Sequence, residues 1–81
     1  MSSTSEEFKA AMDLLSAGKA DKALTLADSL IESEDESKRL DGYLCRGMVY
    51  EDGGEGVSVD LDVALDCYRR VSLIAPSSIA F

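Results

Sequence analysis

Residues 42–76, GYLCRGMVYEDGGEGVSVDLDVALDCYRRVSLIAP, place small and aromatic residues at the spacing of two paired helices. A glycine in the first half lies between two tyrosines, and an alanine in the second half precedes a third tyrosine by about one helical turn. Such a glycine lets two helices approach closely, the aromatic rings fill the space beside that contact, and a final proline stops the second helix. The pattern predicts an antiparallel helical hairpin. Its landmarks are Tyr43, Gly47 and Tyr50, then Ala64 and Tyr68, then Pro76.

The order of these landmarks resembles that of the tetratricopeptide-type helical repeat. Residues 51–60 form a glycine-bearing linker that ends in a valine and an aspartate, and this linker is similar to the one in the Sel-one-like subtype. Residues 64–70, ALDCYRR, also resemble the Ala-x-x-Trp-Tyr-x-(Lys/Arg) segment of that subtype, with Cys67 in place of Trp and, earlier in the chain, Arg46 in place of an apolar residue. The resemblance implies an all-α fold of antiparallel helical hairpins stacked as a short superhelix, or solenoid, and it implies protein binding.

The first part of the chain predicts another, more degenerate hairpin. Thr4 and Glu7 have the spacing of a capping box, in which two side chains satisfy free N–H groups at the start of a helix. Apolar residues then recur with helical period in two segments. We expect the first helix to end at Gly18 and the second to fade near residues 32–34. The apolar positions are Phe8, Ala11, Met12 and Leu15, then Ala20, Ala23, Leu24, Ala27, Leu30 and Ile31.

Acidic residues mark the starts of the third and fourth helices. Residues 32–36 carry four acids in five positions, and the helix boundary falls within them because acids complement a helix N-terminus and oppose a C-terminus. The third helix is expected from about Glu36 to Glu51. The fourth is expected from after an Asp60 cap to before Pro76. The predicted apolar stripes are Leu40, Tyr43, Leu44 and Gly47 in the third helix, then Leu61, Ala64, Leu65, Tyr68 and Val71 in the fourth.

The chain divides into residues 3–35 as the degenerate first hairpin, 36–76 as the Sel-one-like hairpin, and 77–81 as the start of a further helix or a tail. The hairpins repeat with an offset of 41 positions, which aligns Ala23 with Ala64. A chain of 81 residues forms one small domain with a thin stability margin. Because solenoid repeats bury their apolar faces against neighbours, roughly three are usually needed. We therefore expect either a fragment of a longer array or an oligomer.

The net charge of −8 and pI near 4.2 argue against partners that carry negative charge. Nucleic-acid binding relies on Lys and Arg that displace counterions from phosphates, and anionic membrane surfaces attract the same residues. The apolar fraction of 46% is that of a folding chain, and no apolar run approaches the roughly 18 residues of a membrane span. The first seven residues have neither the basic start nor the apolar core of a secretory signal. The sequence therefore predicts a cytoplasmic protein.

The residue types offer little for catalysis or cofactor binding. The chain has no histidine, and its two cysteines, Cys45 and Cys67, are too few for a disulfide scaffold and too isolated for a zinc site. We interpret both as reduced packing groups, although a bridge between paired helices is an alternative. The linker glycines are flanked by acids and lack the lysine of a phosphate loop and the spacing of a calcium loop. We expect no metal, no cofactor and no enzymatic activity.

The resemblance implies a binding surface, because the first helix of each hairpin lines a concave groove in the related family. Carrying that face over predicts an apolar floor with acidic edges. Independently, the apolar residues of the first helix cover roughly 200° of its circumference, whereas one neighbour needs little over 100°. The excess is covered by a further helix, by a second copy of the chain, or by a bound segment. The predicted partner-binding residues are Phe8, Met12 and Leu15, then Asp41, Leu44, Met48 and Glu51.

The leading functional hypothesis is a scaffold or adaptor module that binds a protein or peptide, with basic residues of the bound segment facing Asp41, Glu51 and Asp52. One alternative is a small acidic chaperone for an exported protein, since short acidic helical chains that cover an apolar client segment share this composition. Another is an oligomerisation or regulatory segment of a longer enzyme. No residue identifies the partner.

Overall fold

A computed structural model describes residues 6–74, which form four α-helices. Each helix packs against the next in the chain, and α1 also packs against α3. Within these residues the extended backbone is limited to one isolated antiparallel bridge between Gly54 and Val57. The predicted all-α class and the stacking of helical hairpins are therefore confirmed. The helices are α1 (Glu6–Ser16), α2 (Ala20–Ile31), α3 (Glu36–Asp52) and α4 (Leu61–Ile74).

The helix boundaries follow the turn and cap signals. Gly18 has a φ of 81° and lies in the turn between α1 and α2. Asp35 caps α3, since its Oδ1 accepts a hydrogen bond from the Ser37 N–H at 2.9 Å, which places the boundary inside the acidic run as predicted. Asp60 caps α4 in the same way, with its Oδ1 3.2 Å from the Val63 nitrogen. The predicted Thr4 cap, the Pro76 stop and the further helix at 77–81 lie outside the described residues.

The core is built from small side chains. Six residues of α1, α2 and α3 have no exposed surface, and four of them are alanines. Larger apolar side chains, among them Phe8 and Leu24, are only partly buried and surround this cluster. Small residues at the contact let helix axes approach closely, so the fold buries backbone and Cβ atoms where other helical proteins bury leucine. The six are Ala11, Ala20, Ala23, Ala27, Cys45 and Val49.

The predicted apolar stripe on α3 is wrong in part. Gly47 is buried as expected, but Leu40, Tyr43 and Leu44 are half-buried. Because α3 has neighbours on several sides, it contacts them through small residues and leaves its larger apolar side chains on the remaining face. The buried residues of α3 are Asp41, Gly42, Cys45, Gly47 and Val49.

Two glycines set the distances between α3 and its neighbours. A Cβ at Gly47 would lie 2.6 Å from Cε1 of Tyr68, so the predicted contact between this glycine and the next helix is confirmed. A Cβ at Gly42 would lie 2.7 Å from the Ile31 nitrogen and 2.8 Å from the Ala27 oxygen. The last turn of α2 thus touches the backbone of α3 directly, and this contact joins the first hairpin to the second.

The linker between α3 and α4 packs on the turn between α1 and α2. The Glu55 N–H donates to the Gly18 oxygen and the Asp21 N–H donates to the Glu55 oxygen, both at 3.1 Å. Gly54 has a φ of 152°, and a Cβ there would lie 2.8 Å from that of Ala20. Val57 packs against the core cluster. The glycine-rich linker is therefore a second contact between the hairpins, made through the backbone.

Both cysteines are buried free thiols, as the packing interpretation requires. The Cys45 Sγ lies 3.8 Å from the Ala23 oxygen, the geometry of a weak hydrogen bond. Burial raises the pKa of the Cys45 thiol from its ordinary 9.0 to about 11. The pKa of Cys67 is also raised, chiefly by burial, with the nearby Arg46 charge acting in the opposite direction. Neither thiol is activated for nucleophilic chemistry near neutral pH.

We expect Gly42→Ala to lower the free energy of unfolding by about 1–3 kcal/mol, because the new methyl group meets the backbone of α2, which has no free rotation. Gly47→Ala, in the same helix, is the matched control. Its methyl group meets the ring of Tyr68, a side chain that can shift more readily than backbone, so we expect a smaller loss, part of it from strain on the hydrogen bond between Tyr68 and Glu51. Urea unfolding of both variants measures the difference. A Gly42→Ala protein as stable as the original would contradict the backbone contact.

We expect the stability to fall as the pH rises from about 9 to about 11, because the unfolded chain releases the Cys45 proton in this window and the folded chain holds it. The contribution is fully present below pH 9 and amounts to about 2 kcal/mol, lost as the pH approaches 11. Cys45→Ala reduces this pH dependence, and the part that remains comes from Cys67 and Tyr68, whose pKa values are also raised in the folded chain. Val49→Ala, which shortens an equally buried neutral neighbour, lowers stability without changing its dependence on pH. Equal slopes in the two variants would refute the assignment.

Candidate partner-binding surface

One face of α3 combines apolar and acidic side chains outside the core. Leu44, Met48 and Glu51 are spaced by four and three residues and share a face. Leu44 and Met48 are half-buried, and Glu51 is exposed. Cys45 and Val49, which belong to the core cluster, each lie about 100° around the helix from Leu44 and Met48 respectively. These three predicted residues therefore form one surface, which we call the α3 face.

The three predicted residues of α1 have a different environment. Phe8, Met12 and Leu15 are half-buried, and each packs against the core cluster. The broad apolar arc of α1 is thus largely accounted for by contacts within the chain, since α1 packs against both α2 and α3. These three side chains keep some exposed surface, but their main role is to pack against the core.

Asp41 does not form part of an exposed acidic edge. Only 7% of its surface is exposed, whereas the prediction placed it beside Leu44 as a rim residue. At about 100° per residue it lies roughly 20° around the helix from Met48, two turns closer to the start of α3. The predicted face therefore does not extend to this part of the helix, where the position is buried.

Tyr68 joins α4 to the α3 face. Its hydroxyl donates a hydrogen bond of 2.8 Å to Oε1 of Glu51, and its ring packs against Gly47. Burial, followed by the hydrogen bond and the negative charges of Glu51 and Asp52, raises the pKa of the phenol. Sequence reasoning assigned Tyr68 to packing only. The ring was predictable from its aromatic landmark, but nothing in the spacing between residues 51 and 68 indicated the hydroxyl contact.

The charge near the α3 face is negative because the basic side chains of the third helix are engaged elsewhere. Lys38 lies 3.6 Å from a carboxylate oxygen of Glu7, and Arg46 lies 3.7 Å from Asp28. Arg39 donates to two backbone oxygens in the turn before α3. Glu51 and Asp52, at the far end of the helix, are exposed, and neither forms an ion pair within residues 6–74. A bound segment with positive charge would meet these two carboxylates.

Two other kinds of site find no support in residues 6–74. Histidine, cysteine and acidic side chains do not cluster there in any group of three that could hold a metal ion. None of the helices formed by these residues has the length and apolar character needed to cross a membrane.

The chain was compared with protein-family models, with curated proteins and with solved structures, and no match was found in any of the three comparisons.

Proposed function

We propose that this chain is a protein-protein interaction module of the tetratricopeptide type, with a second hairpin of the Sel-one-like subtype, and that it acts as a scaffold or adaptor. The observation that carries the proposal is the α3 face, where Leu44 and Met48 remain half-exposed beside the Glu51–Tyr68 hydrogen bond. Apolar side chains held at the surface by a rigid helix are typical of protein contacts.

The chemistry of the α3 face specifies the bound segment. Two apolar anchors spaced by one helical turn suit an amphipathic helix with apolar residues at i and i+3 or i+4. Burying a leucine or methionine contributes about 1.5–3 kcal/mol each, so the two anchors together contribute about 3–6 kcal/mol before ordering costs. A micromolar affinity corresponds to about 8 kcal/mol, so it requires further contacts from the bound segment. Basic residues in the segment would approach Glu51 and Asp52, which adds a dependence on salt.

The proposed role is non-enzymatic. The two cysteines are the only soft nucleophiles in the sequence, and burial raises the pKa of each thiol, which keeps them protonated near neutral pH. Tyr68, the other titratable group at the α3 face, likewise has a raised pKa and donates its proton in a hydrogen bond. These groups position and pack; they do not supply a reactive base.

We expect helical peptides selected from a display library against the intact chain to carry basic residues beside paired apolar anchors. Met48→Glu should weaken their binding at least about tenfold, because it places a charge where an apolar side chain is buried. Met48 suits this test better than Met12, which packs against the core. Binding is measured by titration calorimetry at two salt concentrations, and circular dichroism confirms that each variant is folded.

Two variants that each remove one negative charge test the electrostatic contribution to peptide binding. Glu51→Gln removes a carboxylate and keeps an oxygen that accepts from Tyr68, while Asp13→Asn removes one from the exposed surface of α1. We expect Glu51→Gln to weaken peptide binding and to flatten its salt dependence, and Asp13→Asn to do neither. Equal effects of the two variants, or peptides unaffected by Met48→Glu, would remove the α3 face as the binding site.

A further inference from the structure

The outer side of α4 carries exposed leucines that have no neighbouring helix among the described residues. The helix buries Ala64, Cys67 and Val71 on its inner side. On its outer side Leu61 is 64% exposed, Leu65 51% and Leu73 82%. Exposed leucines in this number on one short helix are unusual for a surface that faces water.

The outward side of α1, at the opposite end of the stack, is built differently. Its exposed residues are mostly polar, and they include Glu6, Lys9 and Asp13. Terminal helices of repeat arrays commonly have such a polar outer side, which closes the stack. Of the two helices at the ends of the stack, α4 therefore exposes large apolar side chains and α1 exposes mostly polar ones.

The exposed leucines of α4 lie on one row of side chains. Leu61, Leu65, Arg69 and Leu73 are four residues apart, and positions at this spacing form a ridge on a helix surface that packs into the groove of another helix. The row is symmetric about Cys67, since Leu61 and Leu73 are each six residues away, and Leu65 and Arg69 are each two away. If the outer sides of two such helices pair antiparallel about an axis at the level of residue 67, each Leu61 lies opposite a Leu73.

The charged residues of α4 are also arranged so that two antiparallel copies of the helix bring opposite charges together. The acids Asp62 and Asp66 lie in the N-terminal half of the helix, and Arg69 and Arg70 lie in the C-terminal half. In an antiparallel pair, Arg69 lies opposite Leu65 of the other helix and within one turn of its Asp62 and Asp66. Arg70 is already paired with Asp66 of its own helix at 3.1 Å. The pair that the antiparallel arrangement adds is therefore the one between Arg69 and Asp62 of separate chains.

A surface pocket lies at the end of the row. It has a volume of about 190 Å³, is lined by Tyr43, Arg70, Leu73 and Ile74, and includes the Arg70 guanidinium 5.8 Å from the Tyr43 ring centre. An antiparallel second helix brings its Leu61 to this position, which gives an exposed leucine an apolar site to enter.

We propose that α4 pairs, through its outer side, with α4 of a second copy of this chain in an antiparallel, two-fold arrangement whose centre lies at the level of residue 67 along the helix. This inference goes beyond the proposed function and does not depend on what the α3 face binds. Because a helix of 14 residues is about 21 Å long, the contact falls below the roughly 1,200 Å² of stable complexes. The dimer is therefore of the weak, reversible kind, and self-association is measured over micromolar to millimolar concentrations.

Sedimentation of the whole chain tests the contact. We expect concentration-dependent dimers whose dissociation constant rises at least about tenfold with Leu65→Glu, because the variant places a carboxylate inside the contact. Leu73→Glu, at the end of the row, provides a second variant should the first fail to fold. Met48→Glu, on the α3 face, should leave the dimer unchanged and so separates this proposal from the peptide-binding one.

A charge exchange tests the direction of the helices. Arg69→Glu and Asp62→Lys each place like charges opposite one another in a homodimer, and we expect each variant alone to dimerise about tenfold more weakly. Mixing the two restores opposite charges at both positions, so the mixture should form heterodimers as tight as the original homodimer. A chain that stays monomeric at every concentration, dimers indifferent to Leu65→Glu, or a mixture without recovery would overturn the proposal.

Discussion

The direct contact between the α3 backbone and the helices on either side of it determines how the rest of the molecule is arranged. At Gly42 the last turn of α2 occupies the space that a side chain would need, and at Gly47 the ring of Tyr68 does the same from α4. With the backbones this close, alanine, cysteine and valine fill most of the interior, and Leu30 is the one buried leucine among the described residues. Longer apolar side chains such as Leu44, Met48 and Leu65 have no room inside, and they remain at the surface. The candidate binding surfaces are thus a consequence of a core made from small residues.

Within residues 6–74 the sequence predicted four helices, their order and the boundaries between them, because single residues such as Asp60 and Gly18 form the caps and turns. It also identified the contact at Gly47. It did not reveal Gly42, nor that Asp41 is buried, because periodicity is judged by where large apolar residues fall. In α3 the small residues face the neighbouring helices and the large apolar residues lie nearer the surface, which is the opposite of what that criterion assumes. The hydrogen bond that brings Tyr68 to the α3 face depends on three-dimensional proximity that spacing does not encode.

Arg46 and Cys67, the two residues at which the sequence differs from the Sel-one-like pattern that it resembles, interact electrostatically. The charge of Arg46 acts on the Cys67 thiol, whose pKa is nevertheless raised because burial dominates. The guanidinium lies 5.9 Å from the Tyr50 ring centre and 3.7 Å from the Asp28 carboxylate, and its Nε is buried without a hydrogen-bond partner within residues 6–74. Leaving this Nε buried without a partner costs free energy, which the ion pair with Asp28 and the contact with the Tyr50 ring offset in part.

The backbone contact between the α3–α4 linker and the α1–α2 turn determines which mutations the linker tolerates. The hydrogen bonds among Gly18, Asp21 and Glu55 use main-chain atoms only, so the side chains of Asp21 and Glu55 are free to vary without breaking them. Inserting or deleting a single residue in the linker, by contrast, would shift which amide faces which carbonyl and would move Gly54 away from Ala20. In evolution, this backbone contact would tolerate many substitutions in the linker but few insertions or deletions. Related chains that connect their hairpins in this way would therefore share the length of the linker more than its composition.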